Sequence, residues 1–333
     1  MDKKTSNMNS LPKFTLELNL ASECLGAQAL YASDDFFAPK ENLVKDSKPI
    51  FIDGKYTEFG KWMDGWESRR KRGIDKNSHD HCILKLGAPG PILGIDVDTR
   101  FFTGNYPQDC SIEASNSENI GGVNNWTQIL PRKPLKGDKS NFFSIASKDT
   151  WTYLKLNIYP DGGVARLRVY GIAKPDWKKL AGPVDLASAL YGARVVQCND
   201  MFYGDKNNII MPGRAKVMGE GWETKRKRGI DNESHDWLIV MLGHVGKIQK
   251  IEVDTNHYKG NFPESCEIEG ANGKEVSKLK WKRLLKRTKL QGHHQHYFEA
   301  EIEDAAKKTE FTHLRLKIFP DGGISRFRAW GHI

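Results

Sequence analysis

The sequence predicts an all-β protein, two tandem antiparallel jelly-roll β-sandwich domains produced by internal duplication. Three observations carry that expectation. A block at 66–80, W-E-S-R-R-K-R-G-I-D-K-N-S-H-D, returns at 222–236 as W-E-T-K-R-K-R-G-I-D-N-E-S-H-D, identical at 11 of 15 positions. A closing block at 154–171, L-K-L-N-I-Y-P-D-G-G-V-A-R-L-R-V-Y-G, returns at 314–331 as L-R-L-K-I-F-P-D-G-G-I-S-R-F-R-A-W-G. Long helical periodicity is scarce, and short alternating stretches recur between Gly, Pro and Asn, which is the pattern of sandwiches rather than bundles.

In chain order, residues 1–13 are polar and read as a flexible N-terminal arm. The first repeat, 14–172, opens with Asn19-Leu-Ala-Ser22 and runs through Asp34 and Phe36; the second, 185–333, opens with Asp185-Leu-Ala-Ser188 and runs through Asp200 and Phe202. The offset between copies is 166 residues at the openings (185 less 19) and 156 at the tryptophans (222 less 66). The first copy therefore carries about ten extra residues between Leu43 and Trp62, expected as a longer loop or an added edge hairpin. I-L-G-I-D-V-D-T at 92–99 and I-Q-K-I-E-V-D-T at 248–255 mix apolar and polar residues at near-alternation, a strand signal. Gly104-Asn105-Tyr106-Pro107 and Gly260-Asn261-Phe262-Pro263 supply matching turns. In each closing block the Pro-Asp-Gly-Gly supplies the turn between two strands. On the return strand Arg166 and Arg168 share one face, with Ala165, Leu167 and Val169 on the other. The plain expectation is that these arginines, and Arg326 and Arg328, solvate the outside of a sheet; a ligand or inter-domain role is the alternative. Residues 173–184, with Pro175 and Pro183 near the ends, read as the linker.

Composition narrows the function classes. A chain of 333 residues is long enough for two domains, each with its own core, and 38% hydrophobic against 28% charged residues is ordinary for a globular protein. No run of apolar residues approaches a membrane span and no secretory leader is visible, so a cytoplasmic protein with no membrane partner is expected. The five cysteines are odd in number and lack a C-x-x-C pair; Cys110 and Cys266 occupy matching strand positions and read as small buried hydrophobes. The net charge of +9 raises nucleic acid as a partner, but the basic residues are scattered and the densest group is broken by acids, so none is expected. Positive charge of that kind suits a small anionic ligand.

The repeated loop is what remains to carry chemistry. Arg70, Arg72, Arg226 and Arg228 offer planar forks for a carboxylate. His79 and His235 titrate near neutrality and are the natural proton carriers, with Asp80 and Asp236 beside them able to orient the rings only if the backbone there is a loop. Glu67 and Glu223 are alternative acid–base groups, and so are Asp75 and Asp231, which as polar groups beside the arginines also count as substrate-binding candidates; Trp66 and Trp222 are either ligand-contacting or needed by the fold. An internal ion-pair network holding the loop is the competing role for the arginines and acids. His79 and His81 are close in the first copy, but Trp237 replaces His81 in the second and no zinc-type spacing exists. No cofactor is expected, with a divalent metal left open.

The paired G-W-E-[ST]-x-R-K-R-G-x-D…S-H-D, V-D-T-x-x-[FY]-x-G-N-[YF]-P and P-D-G-G-[VI]-x-R-x-R blocks resemble those of the allantoicase family, in order and in both copies, from about 18 to 331. The resemblance implies a duplicated, galactose-binding-like jelly roll that hydrolyses allantoate to ureidoglycolate and urea in purine breakdown, as a homo-oligomer. In that case the arginines grip the substrate carboxylate and a histidine or acid protonates the departing urea. A non-catalytic module binding a carbohydrate or small anion is the alternative, although carbohydrate sites carry few fixed charges and this loop carries many.

Overall fold

The computed structural model describes residues 11–71, 75, 77–119, 125–227 and 233–333, which fall into two compact units, Met1–Lys174 and Pro175–Ile333. In the first unit a five-stranded antiparallel sheet runs in the order Gln28–Ala32, Asp80–Gly90, Trp151–Tyr159, Asp109–Ser115, Thr127–Pro134. A four-stranded sheet runs in the order Leu18–Asn19, Arg166–Gly171, Ile92–Asp98, Ser140–Ser144. Leu84, Ile112, Leu154, Leu156 and Ile158 from one sheet, with Ile95, Val97, Leu167 and Val169 from the other, are all fully buried. Each such side chain contributes about 1.5–3 kcal/mol by leaving water, so the alternation read from the sequence is the core itself.

The second unit repeats this plan with one difference. Asp236–Asp254 is a single strand, pairing with Arg194–Cys198 and Glu310–Phe319 along its first part and with Arg326–His332 and Gln295–Phe298 along its second. The first unit splits the same stretch at Pro91, which has no N–H to offer a ladder. Cys82, Cys110 and Cys266 are buried and unbridged. Trp177, in the expected linker, packs its ring 6.0 Å from Tyr191 and 5.0 Å from His244.

Two expectations change. The extra residues of the first copy form a small hairpin, Tyr56–Thr57 with Gly60–Lys61, that pairs with itself and adds no edge to either sheet. The return-strand arginines do not solvate a sheet face: Arg166 is fully buried, Arg326 is 3% exposed and Arg328 8%. A long loop crosses that face in each unit, and the guanidinium groups satisfy its carbonyls. Arg166 donates to the carbonyls of Ser47 and Asp64 at 3.0 Å each and pairs with the Asp64 carboxylate at 2.8 Å. Arg168 holds the carbonyls of Lys45, Asp46 and Ser47. Arg326 and Arg328 hold those of Gly213, Glu220 and Met211 in the same way.

Candidate active site

Three repeated motifs meet at one place in each unit. Trp66–Glu67 forms a two-residue ladder with Gly163–Val164, so the start of the basic loop lies on the exit of the Pro-Asp-Gly-Gly turn; Trp222–Glu223 does the same with Gly323–Ile324. The Gly-Asn-[Tyr/Phe]-Pro turn closes on both. Gly163 N–H donates to the Asn105 carbonyl at 2.7 Å, and Gly323 N–H to that of Asn261 at 2.9 Å. A Cβ on Gly163 would sit 1.9 Å from the Phe102 ring, and one on Gly323 2.0 Å from that of Tyr258, so only glycine permits this approach.

At the junction Asn105 donates its side-chain amide to Glu67 at 2.7 Å, and Asn261 to Glu223 at 2.6 Å. Burial pushes the half-buried Glu67 carboxyl up from its usual range, and nearby Asp161 adds to this; Asn105 and Arg70 act against it. Asp161 is buried and accepts the Lys71 backbone N–H at 2.6 Å, with the Arg70 guanidinium 3.8 Å away. Asp321 accepts the Lys227 N–H at 2.7 Å, and Arg226 reaches the Gly260 carbonyl at 3.3 Å. The structure thus brings Glu67, Arg70 and Asp161 together, with Glu223, Arg226 and Asp321 as their counterparts.

The histidine–aspartate expectation is corrected. Asp80 and Asp236 are buried on the first residue of their strands, facing away from the imidazoles. Asp80 accepts from Ser33 and pairs with Lys71, both at 2.8 Å; Asp236 accepts from Asn199 at 2.7 Å and pairs with Lys227 at 2.6 Å. Strand alternation sends neighbouring side chains to opposite faces, so each histidine is oriented by other groups. His79 Nδ1 lies 3.1 Å from the Asn77 carbonyl with its ring 5.2 Å from Tyr159; His235 Nδ1 lies 3.1 Å from the Glu233 carbonyl with its ring 5.2 Å from Phe319. Both remain exposed enough for proton exchange and are tethered to the junction through Lys71 and Lys227, whose ammonium groups donate to the His79 and His235 carbonyls.

The tryptophans are likewise corrected as ligand contacts. Trp66 and Trp222 are fully buried, and each indole N–H donates at 2.8 Å, to the carbonyls of Asp34 and Asp200. Neither presents a face to a ligand. Asp75 is exposed and accepts the Asn77 N–H in a local turn. Arg72, Arg228 and Asp231 lie outside the described residues. Lys71, Lys227, Asn105, Asn261, Asp161 and Asp321 also meet at the junctions and were not among the candidates; the asparagines and aspartates sit in repeated blocks that read as turns, and the lysines in the repeated loop itself. Among the described residues no group of three or more His, Cys, Asp or Glu is placed to hold a metal, and the junction's donors are already engaged with one another.

A cleft opens beside each junction, on different sides. In the first unit one of about 390 Å³ is lined by Glu67, Asn105, Lys61, Phe37, Phe101 and Thr103 among others. In the second, one of about 460 Å³ is lined by Arg226, Lys227, Lys289, Glu264 and Asp321 with apolar neighbours.

With this geometry in hand the relatives become informative. The allantoicase-repeat family model matches residues 18–174 and again 184–333. The chain belongs to the allantoicase family. A probable allantoicase of Ralstonia nicotianae (strain ATCC BAA-1114 / GMI1000) is 45% identical over 96% of each chain. Probable allantoicase 1 of Burkholderia mallei (strain ATCC 23344) is 46% identical, again over 96% of both. The crystal structure of allantoicase from Saccharomyces cerevisiae superposes with a TM-score of 0.81 at 32% identity, covering 100% of this chain and 99% of that one. The allantoicase repeats therefore coincide with the two sandwiches, and both copies of each motif lie inside them. No helix of the described residues is long and apolar enough to cross a membrane.

Proposed function

We propose that the chain is an allantoicase, releasing urea from allantoate and leaving ureidoglycolate. The observation that carries this is the full-length family match together with the meeting, in each repeat, of its three repeated motifs around a carboxyl, a guanidinium and a buried aspartate. Allantoate has a carboxylate and two ureido groups on one carbon. A guanidinium of the loop, Arg70 in the first repeat, takes the carboxylate as a planar fork. Urea is a poor leaving group unless its nitrogen is protonated, so the decisive group is a carboxyl that still holds its proton near neutrality. Burial moves the Glu67 carboxyl in that direction, above its usual range.

Glu67 gives its proton to the departing ureido nitrogen as the bond from that nitrogen to the central carbon breaks. The lone pair of the remaining ureido nitrogen, which keeps its hydrogen, forms the protonated imine, and urea leaves. Water adds to the same carbon, and the Glu67 carboxylate takes its proton, which restores the acid and yields ureidoglycolate. Asn105 holds Glu67 in place throughout, and Asp161 fixes the backbone of the loop at Lys71.

His79 and His235 are the second proton carriers of this reading. His79→Ala is expected to lower kcat at least tenfold, while near-normal turnover in both single variants and in the double variant removes the histidines and leaves the carboxylates. The direct test is to incubate the purified protein with allantoate and quantify urea and ureidoglycolate. One of each per allantoate is expected, and no urea above the uncatalysed background overturns the assignment. The same reading places the protein in the cytoplasm, in the breakdown of purine nitrogen, as a homo-oligomer; sedimentation of the purified protein as a monomer at micromolar concentration would remove the last of these.

A further inference from the structure

The two junctions share a sequence pattern but have different surroundings. In the first repeat the inserted hairpin brings Lys61 to the cleft that also contains Glu67 and Asn105. The Lys61 ammonium is set 4.6 Å over the Phe51 ring, and Phe51 stacks on Phe101, a wall of the same cleft, with ring centres 6.0 Å apart. Phe59 of the hairpin packs 4.6 Å from Phe36, so the hairpin is pinned at both its tip and its return. The cleft therefore has an acid on one side, a cation on the other and apolar walls between, at a volume suited to a small polar metabolite.

In the second repeat the chain between the corresponding anchors is shorter and forms a tight turn, Met218–Glu220. That turn is fixed by the Tyr258 hydroxyl, which donates to the Met218 carbonyl at 2.9 Å; the matching residue of the first repeat, Phe102, has no hydroxyl. The Met218 sulfur then lies 3.7 Å from the Asn261 amide, on the group that holds Glu223. The Met218 thioether thus packs on the amide that holds Glu223, whereas Glu67 lines an open cleft together with Lys61 and Met63. A cleft of the second repeat lies against Arg226, Lys227 and Asp321, and Glu223 is not among its lining residues.

We infer that turnover takes place in the first repeat, at the cleft between Glu67 and the inserted hairpin, and that Lys61 is a specificity-determining residue there, a cation lining the cleft for the charged end of the substrate. This rests on the allantoate reading above. Duplication supplied two equal frames, and the insertion in one copy together with a phenol in the other made them unequal. The hairpin closes over the substrate's charged end, and the acid acts on the ureido end.

The experiment compares Glu67→Gln, Glu223→Gln, Lys61→Met and Lys61→Arg in the full chain, with urea release from allantoate measured over a range of concentrations. Wild-type urea release is the control that judges the allantoicase reading by itself. Glu67→Gln keeps the hydrogen bond from Asn105 and removes only the proton, and its thermal unfolding is measured alongside. Its loss of kcat is expected to exceed that of Glu223→Gln by at least thirtyfold. Lys61→Met is expected to raise KM about tenfold or more with kcat within about threefold, and Lys61→Arg to restore most of the affinity. An equal loss in the two glutamine variants, or a larger one in Glu223→Gln, overturns the placement of turnover in the first repeat. An unchanged KM in Lys61→Met overturns the role of Lys61.

Discussion

Single side chains separate what the sequence can show from what it cannot. Asp96 was not singled out by any pattern, yet it is buried on the central strand of the four-stranded sheet. Burial, with Asp98 nearby, pushes its carboxyl up to about 6 from 3.8, against the hydrogen bonds from Ser140 and Asn141. A folded-state pKa above the unfolded one favours the fold while the group is protonated, and that contribution is lost as pH rises from about 4 through 6. Asp96→Asn, which keeps an acceptor for the Asn141 N–H, is therefore expected to stabilise the protein by about 1–3 kcal/mol at pH 8 and by little at pH 4. Denaturant unfolding at the two pH values checks this; a gain at pH 4 as large as at pH 8 refutes it. The raised Glu67 carboxyl has the same direction but a functional readout. As a proton donor it works in its protonated form, so kcat should fall as pH rises through a value above the usual carboxylate range, and that limb should vanish in Glu67→Gln. The histidines were expected as proton carriers from their residue type alone. Their partners were not: Asp80 follows His79 in sequence, but strand geometry turns it inward to Lys71.

Elements were legible where periodicity met a turn signal. The alternation of Leu154, Leu156 and Ile158, the glycine pair after Asp161 and the return strand all fell where the pattern placed them. The arginines of that return strand were misread for a physical reason. Alternation tells which face a side chain takes but not whether a distant loop covers that face, and the covering loops contain no regular pattern. Arg166 shows the consequence: it is fully buried, and its guanidinium is held by Ser47, Asp64 and the adjacent Ala165 carbonyl. Replacing it with Met takes the donor from the Asp64 carbonyl and the cation from the buried Asp64 carboxylate, which keeps only the Ile50 N–H, and a cost of about 3–5 kcal/mol is expected, read as a fall in the unfolding midpoint. Gly163→Ala is a second test at this scale. Its methyl group meets the Phe102 ring that backs the junction, so a loss of about 1–3 kcal/mol and a larger fractional loss of urea release are expected. A variant as active and stable as wild type would mean that the close approach of the two turns is not needed.

For the molecule as a whole, the duplication was the most legible feature, because two copies of a motif act as an internal comparison. What makes the copies unequal was only half visible. The ten-residue insertion could be counted, but its meeting with Glu67 depends on Phe51 and Phe59 packing across the loop. The oxygen that separates Tyr258 from Phe102 is a single substitution of ordinary appearance. The positive charge was also readable only in part. Part of it is paired locally, as in Arg100 on Asp98, Arg69 on Asp34 and Arg214 on Asp254. Each compact unit carries its own core, so residues 175–333 expressed alone are expected to unfold cooperatively, with an enthalpy near 60 °C of about 100 kcal/mol. A calorimetric trace without a transition would show that the second sandwich depends on the first.

The buried arginine beneath each covering loop has a consequence for how such a protein changes over time. Its hydrogen bonds go mainly to backbone carbonyls, which every residue possesses, so the anchor places little demand on the identity of the residues it holds. Lengthening a surface loop is thermodynamically mild, about 0.6 kcal/mol per doubling. Segment 48–63 can therefore be exchanged in length and composition while its two ends stay fastened to the sheet. That makes it the natural place to graft new recognition onto an unchanged β scaffold, by selection in a genome or by design at the bench.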